Sequence, residues 1–390
     1  MKTSPHINMN QSGKNGVQIG SMHDNATVNI VSHGVTEARA AEIFDERLEQ
    51  LLANYSVESH EVAIKRNRRF MRTFIDEFAK RDFLKYLSDP SIQIILAEAQ
   101  KAAASSDSDS DYQILVDLLA QRVEHNGNRN VKANVSYAVN AIDKISDEAL
   151  FGLTLIYMMQ NVYPDNGKIF DGIKELNNNL SALIGKKELP DEERLHWLYE
   201  LEILNLVHFR AGTVGTDFFS DLPQMLPGYV ALGLRYESAK FPWAMDKMNG
   251  EFSESDLFVS HEFFPETNYL RIPITYFGDI EKFKINDKLL TLSQKNAMRE
   301  IFDCYTENVD YKEYESKMFA DSCKKLRDEC AKQNNLNRVQ EWGSSFPYEI
   351  KCTLVGCLLG YINAKRHLPN LSPYDGAFGE AYNDNGGEHE

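Results

Sequence analysis

Residues 146–162 read SDEALFGLTLIYMMQNV and decide the fold class of this chain. Ser146 is suited to cap a helix, and Asp147 and Glu148 place negative charge in the first turn, where the helix dipole favours it. Apolar side chains then follow on every face, which predicts a helix buried all round inside a larger body. The apolar part is too short to span a bilayer.

Helical periodicity continues on both sides of this run. Apolar residues recur at helical spacing from Thr36 to Tyr55, and further helices are predicted through Arg366, with a solvated Ser/Asp-rich linker at 105–111. Prolines divide residues 212–290 into short pieces, in which Tyr269–Ile274 is predicted as an edge strand because Pro273 lacks an amide donor. The sequence therefore predicts a mainly α fold, a multi-helix body with helical regions at 36–165 and 166–368 and a disordered acidic tail at 369–390.

The first 35 residues differ in character from the rest. They are rich in Asn, Gly and Ser, and two runs alternate apolar and polar side chains as half-buried strands do. A lone hairpin is marginal in water, so such a leader needs a further surface or copies of itself. The residues that we predict to carry self-association are Val17, Gln18, Ile19, Gly20, Thr27, Val28, Asn29 and Ile30.

Two resemblances bear on this prediction. Val17-Gln18-Ile19-Gly20 resembles the core of the RIP homotypic interaction motif, the amyloid-forming segment of necroptosis signalling proteins, and the flanking residues look like leaders of bacterial immunity proteins. That resemblance implies homotypic assembly. The leader, residues 147–162 and the ending Thr353-x-Val355-Gly356-x-x-Leu359-Gly360-x-Ile362-Asn363 together resemble an uncharacterised bacterial family of helical proteins. This second resemblance implies a helical architecture in a bacterial cytosol.

Composition narrows the class of protein. The 390 residues include 42 basic and 58 acidic side chains, a net charge of −16 that argues against a nucleic-acid-coating protein. Five cysteines are an odd number and too few for a secreted disulfide scaffold, and no signal peptide precedes them. Cys352 and Cys357 would point about 140° apart on one helix. A cytoplasmic protein without a membrane span, metal or cofactor is expected.

Three patterns leave alternatives open. Lys65, Arg66, Arg68, Arg69 and Arg72 form a basic run that is suited to an anionic partner. The spacing of an acidic residue, any residue and Lys, which metal-dependent nucleases use on a strand, occurs at Glu349, Glu315 and Asp310. Residues 195–207 and 348–356 resemble the helix and wing of a winged-helix domain. A nuclease-type effector and a nucleic-acid-binding regulator are therefore alternatives.

The pattern as a whole favours a non-enzymatic, self-assembling bacterial protein of anti-phage immunity or stress signalling. In this hypothesis the leader joins copies of the chain, and the helical body acts on a partner, such as another defence-system protein. The chain itself is the main partner, and nucleic acid is not expected to be one.

Overall fold

The computed structural model describes residues 35–52, 57–191, 195–210, 212–252, 257–276, 278–285, 288–306 and 313–371. Within these ranges the chain is mainly helical, which confirms the predicted fold class. The eight predicted self-association residues and the chain beyond residue 371 lie outside the described ranges. In the described part of the chain, no helix combines the length and the apolar character that crossing a bilayer requires.

The first half of the described chain consists of helices joined by short connections. In chain order they are α1 (Glu37–Leu52), α2 (Val57–Lys80), a 3-10 helix (Leu84–Ser88), α3 (Pro90–Ser105), α4 (Asp109–Glu124), α5 (Arg129–Ile142), α6 (Asp147–Asn161) and α7 (Ile169–Ile184).

Shorter helices and strands alternate in the second half. The helices are α8 (His196–Ile203), α9 (Leu222–Met225), α10 (Pro227–Val230), α11 (Lys240–Glu251), α12 (Asp279–Lys282), α13 (Leu292–Thr306), α14 (Glu313–Ala331), α15 (Asn334–Ser344) and α16 (Leu354–His367). The strands are β1 (Val207–Arg210), β2 (Leu234–Arg235), β3 (Val259–Ser260), β4 (Tyr269–Arg271), β5 (Lys284–Ile285), β6 (Lys288–Leu289) and β7 (Glu349–Cys352).

Side-chain caps set several helix starts, including the one that the sequence predicts at Ser146. The Arg39 amide donates to the Thr36 hydroxyl ahead of α1, and the Ala149 amide donates to the Ser146 hydroxyl ahead of α6, both at 3.2 Å. Asp89 caps α3 in the same way, and Pro90 occupies the first helical position. The Ser/Asp linker is shorter than predicted, because Asp109 and Asp111 form the acidic first turn of α4.

Helix α6 lies at the centre of the main core, as its apolar sequence predicts. It packs against α16, where a Cβ at Gly360 would lie 2.5 Å from the Tyr157 Cβ, so only glycine permits this approach. The buried Asn363 amide donates to the Thr154 hydroxyl at 2.8 Å and joins the two helices. Because both polar groups are satisfied, this link fixes the two helices side by side without leaving an unpaired polar atom.

The region around β2, β3 and β4 departs from the prediction in one respect. Strand β4 covers only Tyr269–Arg271 and pairs with both β2 and β3, so it is the central strand rather than an edge. It satisfies the rule for proline because the strand ends before Pro273. A second hydrophobic cluster lies beside this sheet, where α11 and α13 contribute Phe241, Met248 and Met298.

Candidate functional site

The predicted basic run is divided by the fold. Arg66 donates to the Ala104 carbonyl at 2.9 Å, and Arg69 donates to an Asp109 carboxylate oxygen at 2.6 Å, so both bind the connection between α3 and α4. Lys65, Arg68 and Arg72 lie at i, i+3 and i+7 of α2 and are exposed to solvent. Of the five residues of the basic run, these last three are therefore the ones that the fold leaves exposed.

The two parts of the winged-helix pattern come together in space. Strands β1 and β7 pair antiparallel, with Val207 opposite Cys352 and Arg210 opposite Glu349. The predicted helix 195–207 is shorter than expected, since α8 ends at Ile203 and Val207 begins β1. More than a hundred residues separate the paired strands, and no local sequence signal marks the pairing.

A cavity of about 370 Å³ lies beside this two-stranded sheet. Its charged lining comes from the strands and from the segment that follows β1. The charged residues are Arg210, Asp217, Asp221, Glu349 and Lys351. Three carboxylates against two cations give the lining a formal charge of −1, so the cavity does not favour an anion by charge alone.

Hydrogen bonds hold the segment after β1 against the residues that lead into β7. The Thr216 amide donates to the Gly343 carbonyl at 2.8 Å, and the Ile350 amide donates to the Thr216 hydroxyl at 3.0 Å. Gly215 precedes it with a φ of +77°, and a Cβ there would meet the Ser344 carbonyl oxygen at 2.7 Å. Asp217 accepts hydrogen bonds from the Phe219 amide and the Gln340 side chain, both at 3.0 Å. The cavity wall is therefore held by backbone and side-chain hydrogen bonds to α15 and β7.

Lys351 lies between two carboxylates at the cavity. Its ammonium forms an ion pair with Asp221 and lies 3.8 Å from a Glu349 oxygen. Arg210 is 3.6 Å from the other Glu349 oxygen. Asp221 and Glu349 thus both place carboxylate oxygens near the Lys351 ammonium. Carboxylate oxygens are also the kind of ligand that magnesium prefers. In the described ranges, no group of three or more His, Cys, Asp and Glu side chains could hold a metal ion.

The three segments with nuclease-like spacing differ in secondary structure or in whether the structure describes them. Glu349 and Lys351 lie on strand β7, whereas Glu315 and Lys317 lie in helix α14, and Asp310 falls outside the described residues. Only β7 therefore combines the spacing with a strand in the described part of the chain. Asp221 was missed by sequence reasoning because it lies in the proline-divided segment, where no periodicity singles it out.

Comparison with known proteins adds little to this geometry. A model of an uncharacterised protein family matches residues 34–199, the helices from α1 to the start of α8. The match covers fewer than half of the residues and ends before β1 and β7. No curated protein and no solved structure matches the chain.

Proposed function

We propose that the chain is a non-enzymatic, self-assembling cytoplasmic protein of bacterial anti-phage immunity or stress signalling, in which the leader drives homo-oligomerisation. The observation that carries this proposal is the alternating leader with its Val17-Gln18-Ile19-Gly20 core. Segments of this type stack in register between chains and satisfy their backbone hydrogen bonds in doing so.

The architecture of the body supports this division of roles. Helices α1 to α8 bury a continuous core together with α16, and α1 starts directly after its Thr36 cap. The leader is thus joined to a folded body through a helix start, a connection that lets copies associate without unfolding their cores. The net charge of −16 makes bodies repel one another, so assembly should strengthen when salt screens that repulsion.

Light scattering after size-exclusion chromatography tests the proposal. The full chain should elute with a mass of several copies, and deletion of residues 1–32 should leave a monomer. Ile19→Asp with Val28→Asp should also dissociate the assembly, because each places a charge within an apolar stack. Ser4→Asp with Ser12→Asp adds the same charge to the leader outside both runs and should leave the mass unchanged. An unaltered mass after the deletion would remove the leader from assembly.

A second candidate function is hydrolysis of a phosphodiester with a divalent cation. The placement of Glu349 and Lys351 on β7, with Asp221 against the Lys351 ammonium, favours it. Two carboxylates together with substrate phosphates form a common magnesium site, and a lysine stabilises charge on the phosphate. All three residues line the cavity of about 370 Å³ beside the two-stranded sheet.

Degradation of DNA and RNA in the presence of magnesium tests the second candidate. Glu349→Gln should abolish cleavage, whereas Glu315→Gln, which changes the same spacing within helix α14, should retain it. If the unaltered chain cleaves neither nucleic acid, the second candidate fails while the assembly proposal stands.

A partner for the exposed cations of α2 is proposed separately. Lys65, Arg68 and Arg72 suit a partner with an acidic surface, such as another defence-system protein. Arg68→Glu should weaken binding of the acidic partner and should reduce the dependence of that binding on salt. Lys80→Glu, at the far end of the same helix, should change both quantities less. If the affinity for the partner is the same in both variants as in the unaltered chain, this surface does not bind the partner.

A further inference from the structure

Cys352 and Cys357 lie on different elements, which corrects the sequence-based expectation for their directions. Cys352 is the last residue of β7, Thr353 caps the next helix, and Cys357 lies one turn into α16. The expected divergence on one helix does not apply, because the helix begins only after Thr353. The backbone turns between the two cysteines.

The cap geometry brings the two side chains together. The Gly356 amide donates to the Thr353 hydroxyl at 3.0 Å, which sets Cys352 as the residue before the cap and Cys357 as the fourth helical residue. Residues at these two positions commonly pack against each other at helix starts. Cys352 accordingly packs against the buried cluster to which Cys357 belongs.

The surroundings make the pair asymmetric. Cys352 is partly exposed and lines an open cavity of about 420 Å³ together with Asp221, Lys351 and Gln160. Cys357 is only 5% exposed. A reagent in the cavity can therefore reach the Cys352 thiol, whereas the Cys357 thiol is buried and does not line the cavity.

We propose that Cys352 and Cys357 are a redox-active dithiol, a modification site at which low-molecular-weight disulfides close an intramolecular disulfide between β7 and α16. The Cys352 thiolate attacks one sulfur of glutathione disulfide, which forms a mixed disulfide and releases one glutathione thiolate. The Cys357 thiolate then attacks the Cys352 sulfur and releases the second glutathione. The protein loses two protons and two electrons, and glutathione disulfide is reduced to two glutathione molecules.

The environment sets the rate of this exchange. The neighbouring Cys357 thiol and then burial raise the pKa of the Cys352 thiol above its usual range, although the Lys351 charge opposes them. Because only the thiolate attacks, the reaction is slow at neutral pH and should accelerate about tenfold per pH unit below that pKa. The site is thus suited to sustained oxidising conditions rather than to brief ones.

The disulfide would act on the strand that carries the candidate site. Lys351 and Glu349 precede Cys352 on β7, and the Cys352 amide donates to the Gln160 side chain at 3.1 Å. A covalent tie from Cys352 to α16 limits movement of this strand and therefore of the cavity wall. This consequence does not depend on how the leader assembles.

Peptide mapping of the full chain tests the proposal. The protein is incubated with glutathione disulfide at pH 7.5 and 8.5, unfolded in iodoacetamide and cut with trypsin. Cleavage after Lys351 and Lys365 places both cysteines in one peptide, residues 352–365. The expected product is this peptide with a mass two hydrogen atoms below that of its dithiol form and with no alkyl group on either cysteine. It should form about ten times faster at pH 8.5 than at pH 7.5.

Controls separate closure from simple thiol exposure. Cys357→Ser should stop at a glutathione adduct on Cys352, and circular dichroism shows whether the variant is folded. Cys323 and Cys330, which share helix α14, serve as the internal control and should remain alkylatable. Alkylation of both Cys352 and Cys357 at pH 8.5, or a persistent adduct on Cys352 of the unaltered chain, would overturn the proposal.

Discussion

His261 should make the stability of the fold depend on pH. Its side chain is fully buried next to β3, and the Phe263 amide donates to its Nδ1 at 3.3 Å. Burial, followed by the nearby Arg271 and Lys325 charges, lowers its pKa from 6.5 to about 3, although the nearby Ala231 backbone opposes the shift. The native state therefore keeps this imidazole neutral over most of the acid range.

The sign of the effect follows from proton uptake. Below pH 6.5 the unfolded chain binds a proton that the native chain does not, so the free energy of unfolding falls as the pH falls. With pKa values of 6.5 and about 3 for His261, the loss between pH 8 and pH 5 is about 2 kcal/mol. It continues to grow until the pH approaches the native value.

Urea denaturation at pH 5, 6, 7 and 8 measures this loss. His261→Gln removes the titrating group, so the difference in unfolding free energy between the variant and the unaltered chain should shrink by about 2 kcal/mol from pH 8 to pH 5. His208→Gln, at an exposed position of β1, should follow the unaltered chain at every pH. Parallel stability curves for the unaltered chain and His261→Gln would refute the reasoning.

Substitutions at three further sites, two of them with a control, test the packing and one helix cap. Gly360→Ala places a methyl group 2.5 Å from the Tyr157 Cβ and should lower the free energy of unfolding by about 1–3 kcal/mol. Gly250→Ala, with nothing within 4 Å of its Cβ, should leave that free energy unchanged or raise it. Equal losses for the two variants in chemical denaturation would contradict the close α6–α16 contact. Thr353→Ala should cost about 1 kcal/mol by removing the cap of α16, and Thr353→Ser should restore most of it in thermal unfolding. Phe74→Ala, in the main core, should cost about 3–5 kcal/mol, and a loss below 1 kcal/mol by denaturation would show that the site is loosely packed.

The cysteine pair shows where prediction from the sequence stops. Helices were predicted through Arg366, and the structure shows α16 beginning directly after the Thr353 cap. Applying helical geometry to Cys352 was nevertheless wrong, because that residue belongs to the strand before the cap. The cap residue itself was the signal that could have placed the two thiols in contact.

The candidate cavity was beyond the reach of the sequence. The spacing of Glu349 and Lys351 was visible, and the same spacing at Glu315 was already expected to lie in a helix, as the structure confirms. Asp221 joined them only through folding. Its ion pair with Lys351 spans 130 positions along the chain.

The sequence by itself determined the helices outside residues 212–290 in outline, because helical hydrogen bonds join residues four apart and an apolar stripe or a capping Ser or Thr is readable within one segment. The buried run of α6 and its Ser146 cap were both legible in this way. Only the tertiary structure decided that β1 pairs with β7 and that β4 is central in its sheet. Strand pairing depends on residues far apart in the chain, and no local pattern records which partner the rest of the fold will bring into contact.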